Sequence, residues 1–94
     1  MTPAADMLAE AAGIVDGARQ QTHGPRERSF GFIAALWSAY TGHPITPRDV
    51  AVMMVLLKIG RAQSGAPIRD HFVDMAGYAA LAGELAREEG APCE

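Results

Sequence analysis

Two pairs of charged side chains lie on either side of a short predicted loop. Lys58 and Arg61 are three residues apart, whereas Asp70 and Asp74 are four residues apart. Within a helix, each of these spacings places both members of a pair on one face. Cations can hold phosphate oxygens and carboxylates can hold Mg²⁺, so a hairpin that joined the pairs could form a phosphate or metal site. The same charges could instead neutralise one another as structural ion pairs.

Aromatic side chains and a histidine extend this candidate site. His71 precedes Asp74 by three residues, and Tyr78 follows it by four. Trp37 and Tyr40 lie earlier in the chain; such rings can stack on a nucleotide base, although they more often belong to a core or an interface. The prediction assigns ligand or phosphate binding to Lys58, Arg61, Tyr78 and Trp37, and binding of a Mg²⁺ cofactor to Asp70 and Asp74.

A second cationic segment is a further candidate for contact with phosphate. It runs from Thr22 to Arg28 and includes Arg26 and Arg28 close to a predicted helix start, where backbone N–H groups attract anions. Its Gly-Pro pair predicts a loop. A solvated turn is the simpler interpretation of this segment.

Most familiar catalytic patterns are missing from the sequence. His23, His43 and His71 have neither HExxH spacing nor accompanying cysteines, which disfavours a zinc site. There is no GxxxxGK[ST] phosphate loop, no GxGxxG fingerprint and no nucleophile elbow around a serine. Whether the chain is an enzyme stays open.

Composition and charge limit the class of protein. The 94 residues give room for one domain, and a hydrophobic content of 49% with 20% charged residues is typical of a globular chain. This apolar share is large for a small domain and indicates a homo-oligomer. The net charge of -3 argues against a broad basic face for nucleic acid, but it leaves room for a local anion pocket.

The sequence predicts a cytoplasmic location. Cys93 is the only cysteine, so no internal disulfide can form, which fits a reducing compartment. Residues 1–10 lack the basic and apolar regions of a signal peptide. The longest apolar run, Val50–Leu57, is far shorter than the roughly 20 residues that span a bilayer. We therefore expect no membrane partner.

Gly and Pro residues divide the chain into four predicted helices, and no segment has the alternation of a strand. The predicted fold is all-α, a compact four-helix bundle with one domain over residues 1–89 and a flexible tail over residues 90–94. The first helix is expected at about Pro3–Gln21, and the second begins near Ser29 and ends at Gly42, which takes the C′ position. The third runs from Thr46 to the loop Gln63–Ile68, and the fourth covers about Arg69–Glu89.

The third helix has the clearest start signal. Thr46 suits the N-cap, Pro47 the N1 position and Asp49 the N3 position, so Asp49 is interpreted as a helix-start residue rather than a ligand. Every residue in Val50–Leu57 is apolar, as in a helix surrounded by neighbours or by another subunit. We predict that this helix is central and that surplus apolar surface is buried in a dimer or larger assembly.

Five blocks of sequence resemble a family of small, functionally uncharacterised proteins of tailed phages and prophages. They cover most of residues 18–85, in the order found in that family. The family's first loop usually reads Tyr-Gly-Asp, whereas this chain has His23-Gly24-Pro25. The resemblance implies a phage-encoded protein that acts in the host cytoplasm. The blocks are residues 18–20, 32–40, 45–51, 56–61 and 74–81.

More remotely, the chain resembles the all-α nucleoside triphosphate pyrophosphohydrolases of the MazG-like group, in which an ExxE pair and a later ExxD pair hold Mg²⁺. Asp74 is similar to the aspartate that ends the second motif, and His71 stands where its glutamate would be. The first carboxylate pair has no counterpart, since the third helix carries Lys58 and Arg61 and is acidic only at Asp49. The resemblance therefore implies nucleotide binding more than catalysis, because hydrolysis with two metal ions depends on carboxylates.

Three functions follow as hypotheses. The leading one is binding of a small phosphorylated nucleotide, either a nucleotide-pool metabolite or a host defence signal, without catalysis. The second is Mg²⁺-dependent nucleoside triphosphate pyrophosphohydrolysis with Asp70 and Asp74 as ligands. The third is a protein inhibitor of a host enzyme or defence system, acting through an acidic or apolar surface.

Overall fold

The chain folds as an all-α protein. The computed structural model describes residues 2–17 and 26–90, and neither range contains a β-strand. The predicted fold class is confirmed. The helices are α1 (Pro3–Asp16), α2 (Arg26–Thr41), α3 (Pro47–Ser64) and α4 (Arg69–Glu88).

The α3–α4 pair forms the centre of the bundle. These two helices make the most extensive contact and are joined by the short connection 65–68, so they run antiparallel. Helix α1 packs against α4, and α2 packs against α3. The third helix therefore has a central position, which it shares with α4.

The largest differences from the predicted helix bounds lie around residues 17–28. Helix α1 ends at Asp16 with Gly17 as its C-cap, and residues 18–21 of the predicted span lie outside the described residues. Helix α2 begins at Arg26, so the predicted loop was wrong for residues 26–28. Arg and Glu are good helix formers, and they extend α2 toward its N-terminus. Residues 22–25 also lie outside the described ranges.

A tight corner joins α2 to α3. Gly42 has the left-handed φ of +73°, and its N–H donates to the carbonyl of Ser38 at 2.9 Å, which confirms the predicted C′ glycine. The Ser38 hydroxyl accepts from the N–H of Ile45 at 2.8 Å and donates to its carbonyl at 3.2 Å. Both polar groups of Ile45 are thus satisfied, and the end of α2 is tied to the start of α3.

A capping box begins α3, as its sequence predicts. The N–H of Asp49 donates to the Thr46 hydroxyl at 3.1 Å, and the N–H of Thr46 donates to the Asp49 carboxylate at 3.0 Å. We expect Thr46→Ala to lower the free energy of unfolding by about 1 kcal/mol, because one helix-end N–H loses its acceptor. Urea unfolding followed by circular dichroism measures this, with Thr46→Ser as the matched control. Equal midpoints for Thr46→Ala and Thr46→Ser would contradict the capping role.

The core of the described residues is small and is supplied by all four helices. Helix α1 crosses α4 at Gly77, where an added Cβ would lie 3.8 Å from Cγ2 of Val15. The missing side chain of Gly77 therefore lets α1 approach α4 closely. The buried hydrophobic residues are Ala11, Ala34, Val50, Ala51, Val73, Leu81 and Leu85.

Much apolar surface is left exposed on α3. We define the α3 outer face as Val52, Met53, Leu56, Leu57 and Ile59, which are 39–60% exposed. The described helices therefore do not surround α3 on all sides, because they cover only part of its circumference. Of the two predicted environments, burial against another subunit remains a prediction.

Helix α2 also presents apolar side chains to the exterior. Phe32, Leu36 and Tyr40 follow one another at intervals of four residues and so share one face of the helix. Tyr40 is 92% exposed and does not belong to the core. Among the described helices, none combines the length and hydropathy required to cross a bilayer.

Candidate functional site

An ion pair links the two central helices. The Nζ atom of Lys58 on α3 lies 3.0 Å from Oδ2 of Asp74 on α4, and the side chains are 18% and 27% exposed. Partial burial strengthens such a pair relative to one in open solvent. The geometry is that of an ion pair that stabilises the hairpin, the structural alternative that the sequence left open.

This ion pair shows the register of the hairpin. Because position 58 is opposite position 74 in an antiparallel pair, Arg61 lies level with the first turn of α4, which contains Asp70 and His71. The four charged residues therefore lie toward the loop end of the hairpin. Arg61 and Asp70 are exposed, and neither forms an ion pair or a side-chain hydrogen bond with another described residue.

The loop end of the hairpin has donors available for an anion. A lysine ammonium has three N–H donors, so Lys58 retains donors beyond its contact with Asp74. The guanidinium of Arg61 offers five donors in a planar fork that matches phosphate. Lys58 and Arg61 are one helical turn apart, a spacing at which both side chains could reach one phosphate group.

The carboxylates provide less support for a resident metal ion. In the ranges 2–17 and 26–90, no group of three or more His, Cys, Asp or Glu side chains is arranged to hold a metal. One oxygen of Asp74 is already engaged by Lys58. Asp70 and Asp74 could supply two ligands at most, so a Mg²⁺ ion here would need phosphate oxygens to complete its shell.

The two candidate aromatic residues occupy different parts of the fold. Tyr78 is half-buried on α4, one turn beyond Asp74 and on the same face. Trp37 is half-buried near the end of α2, which the Ser38–Ile45 hydrogen bonds hold against the start of α3. Lys58 is 11 residues beyond Pro47, about 16 Å along the helix axis. Tyr78 is therefore better placed than Trp37 to accompany the cations.

The second candidate phosphate contact is only partly described. Arg28 is exposed in the first turn of α2, and the backbone of Arg26 begins that helix. These cations thus belong to the helix itself rather than to a loop before it. Residues 22–25 and the side chain of Arg26 lie outside the described part of the chain.

Sequence reasoning missed two ion pairs at the ends of the central helices. Nη1 of Arg69 lies 2.6 Å from Oε1 of Glu10, which ties the start of α4 to α1. Nε of Arg48 lies 3.7 Å from Oε1 of Glu89. Both pairs are exposed and contribute little to stability. No local spacing predicts them, because Arg69 and Glu10 are 59 residues apart.

The curated relatives are phage proteins. The chain is 45% identical over 76 residues to a "Gene 55 protein" of Mycobacterium phage L5, an alignment that covers 80% of this chain and 49% of the relative. It is 39% identical over 88 residues to a "Gene 55 protein" of Mycobacterium phage D29, which covers 92% of this chain and 58% of the relative. The chain thus spans about half the length of these relatives.

A match to a protein family classifies the chain more specifically than these two pairwise similarities do. No solved structure is significantly similar to the chain. A family described as "Domain of unknown function (DUF6378)" matches residues 6–86, a range that includes all of α2 and α3 and most of α1 and α4. The expected kinship with small uncharacterised phage proteins is confirmed, and the chain belongs to the DUF6378 family.

Proposed function

We propose that this phage-type protein binds a small phosphorylated nucleotide at the loop end of the α3–α4 hairpin. The observation that carries the proposal is the exposed Arg61, which has no described partner and lies one turn from Lys58. Two cations at this spacing suit a phosphate group, whereas an isolated surface cation is only a solvated charge. The remote MazG-like resemblance, which rests on Asp74 of α4, is compatible with a nucleotide ligand.

Each side chain has a distinct role in this proposal. Arg61 holds the phosphate through its planar fork, and Lys58 contributes a second donor. Tyr78 lies against the nucleotide base, because its aromatic ring is one helical turn from Asp74 and can stack on a base. Asp70 binds a ribose hydroxyl or a Mg²⁺ ion that enters with the phosphates.

Binding is favoured over hydrolysis because of where Asp74 points. Its contact with Lys58 leaves it one oxygen for a metal ion, and the described residues contain no set of three metal-binding side chains. Pyrophosphohydrolysis with Mg²⁺ requires more carboxylates than this. A binding protein of this kind would adjust the nucleotide pool of an infected cell or sequester a nucleotide that signals host defence.

Arg61→Ala should weaken nucleotide binding at least about 10-fold, because it removes charge-assisted hydrogen bonds to phosphate. Isothermal titration calorimetry with ATP and dTTP, each with and without Mg²⁺, measures the effect. Arg48→Ala is the matched control, since it removes another exposed arginine from the opposite end of α3. Absence of detectable binding to any common nucleotide, or binding that Arg61→Ala leaves unchanged, would rule out this site.

The same titrations separate binding from catalysis. Pyrophosphate released from a nucleoside triphosphate, and lost in Asp74→Asn, would establish the hydrolase alternative instead. Bound nucleotide recovered intact would support the binding function.

The exposed apolar face of α2, formed by Phe32, Leu36 and Tyr40, favours a second candidate function, inhibition of a host protein. Apolar patches of this kind mark interaction sites on small domains. Inhibition of a host enzyme that persists in Arg61→Ala but is lost in Leu36→Glu would support this function. A reversed pattern would assign the effect to the nucleotide site.

A further inference from the structure

We propose that the α3 outer face is the docking site for a second copy of this chain. The two α3 helices would lie antiparallel, related by a two-fold axis near Leu56. This inference goes beyond the proposed nucleotide site and is independent of it, because Lys58 faces α4 and Arg61 lies away from the centre of the outer face.

The spacing of the outer face is that of a helix-pairing seam. Val52, Leu56 and Ile59 are separated by four and then three residues, and Asp49 and Gln63 continue the same alternation at either end. Alternating steps of three and four residues keep a stripe on one side of a helix and produce knobs-into-holes packing. Leu56 is at the middle of this stripe and is 60% exposed.

The apolar middle of the seam, formed by Val52, Leu56 and Ile59, can be buried without removing a charge from water. No residue of Val50–Leu57 is charged, and Lys58, the next residue, turns toward Asp74 on the opposite side of α3. Burial of an unpaired charge would oppose association. Exposed apolar side chains on successive turns form the kind of patch that isolated domains rarely leave in water.

The polar ends of the seam select the antiparallel direction. Asp49 is at one end and the neutral Gln63 at the other. Parallel helices would place two Asp49 carboxylates side by side, and such like-charge contacts oppose association. With the axis at Leu56, each Asp49 instead meets Gln63 of the second copy, whose amide can donate to the carboxylate oxygen that the capping box leaves unused.

The same arrangement gives Gly60 a place at the interface. Gly60 is exposed on α3, and a Cβ added there would meet nothing within 4 Å. A glycine inside an exposed helix destabilises it relative to alanine. With the axis at Leu56, Gly60 lies opposite Val52 of the second copy and allows the two backbones to approach closely.

Sedimentation equilibrium of the full chain tests the proposal. The expected mass is twice the chain mass of 9.9 kDa. Leu56→Glu should raise the dissociation constant at least about 30-fold, as for loss of a central interface residue, while circular dichroism shows that the helices persist. Leu8→Glu changes an equally exposed leucine on α1 and should leave the dimer intact. A monomeric wild type, or a dimer unaffected by Leu56→Glu, would overturn the proposal.

Disulfide trapping in a Cys93→Ser background tests the direction of the helices. Leu56→Cys should cross-link with itself, because the two-fold axis brings the two copies of that position together. Val52→Cys should cross-link with Gly60→Cys when the two variants are mixed, but not with itself. Self-linking of Val52→Cys would show a parallel pair, and absence of cross-links at all three positions would exclude α3 as the interface. Capture of a different protein on this face by a monomeric chain would also overturn the proposal.

Discussion

Val73→Asp should sharply lower the free energy of unfolding of the protein. Val73 is 2% exposed and lies in the core, next in sequence to Asp74. A carboxylate at this position would be buried without a partner, and we expect a loss of more than about 4 kcal/mol from a small domain whose total stability is of order 5–15 kcal/mol. Far-ultraviolet circular dichroism and urea unfolding measure the loss.

Phe72→Asp provides the control for this prediction. Phe72 precedes Val73 in the same turn of α4 but is 43% exposed. An aspartate there stays in contact with water, so the unfolding midpoint should fall much less than in Val73→Asp. Similar midpoints for the two variants would show that α4 does not bury the side that the structure assigns to the core.

The second large effect concerns the two halves of the Lys58–Asp74 pair. Lys58→Met and Asp74→Leu should each destabilise the protein by roughly 1–2 kcal/mol, because each leaves a partly buried charge without its partner. The double variant should recover most of this loss, since both charges are replaced by apolar groups. Urea unfolding of the wild type, both single variants and the double variant gives the coupling energy directly.

The same four proteins separate the structural role of the pair from ligand binding. If Lys58 contacts phosphate, the double variant should be stable and yet bind ATP more weakly than the wild type. Additive losses of stability in the double variant would mean that Lys58 and Asp74 do not act as a pair. Full nucleotide binding by a stable double variant would remove Lys58 from the proposed site.

Local signals in the sequence predicted much of this fold. Thr46 and Asp49 specify the start of α3 through backbone groups only three residues away, and Gly42 ends α2 because it adopts a positive φ. These interactions depend on neighbouring residues alone. The end of α1 and the start of α2 were predicted less well. The turn signal of Gly24-Pro25 lies directly before residues 26–28, which are themselves good helix formers and belong to α2.

The candidate site was predictable only in part. Once α3 and α4 were expected to form a hairpin, the proximity of Lys58 and Asp74 followed from their distances to the loop. The pairing of Arg69 with Glu10 depends on how α1 docks, which no local spacing encodes. The exposure of the α3 outer face could not be predicted from the hydrophobic periodicity of the sequence either. An apolar helix has the same sequence pattern whether its own chain or a second chain covers it.

The order of helix contacts has a consequence for folding kinetics. Among the three main contacts of the described helices, α2–α3 and α3–α4 join consecutive elements, and only α1–α4 joins distant ones. Contacts between sequence neighbours cost little loop-closure entropy and form quickly. The unit from α2 to α4 can therefore assemble in the earliest folding events. Docking of α1 at Gly77 would then be the late step of folding.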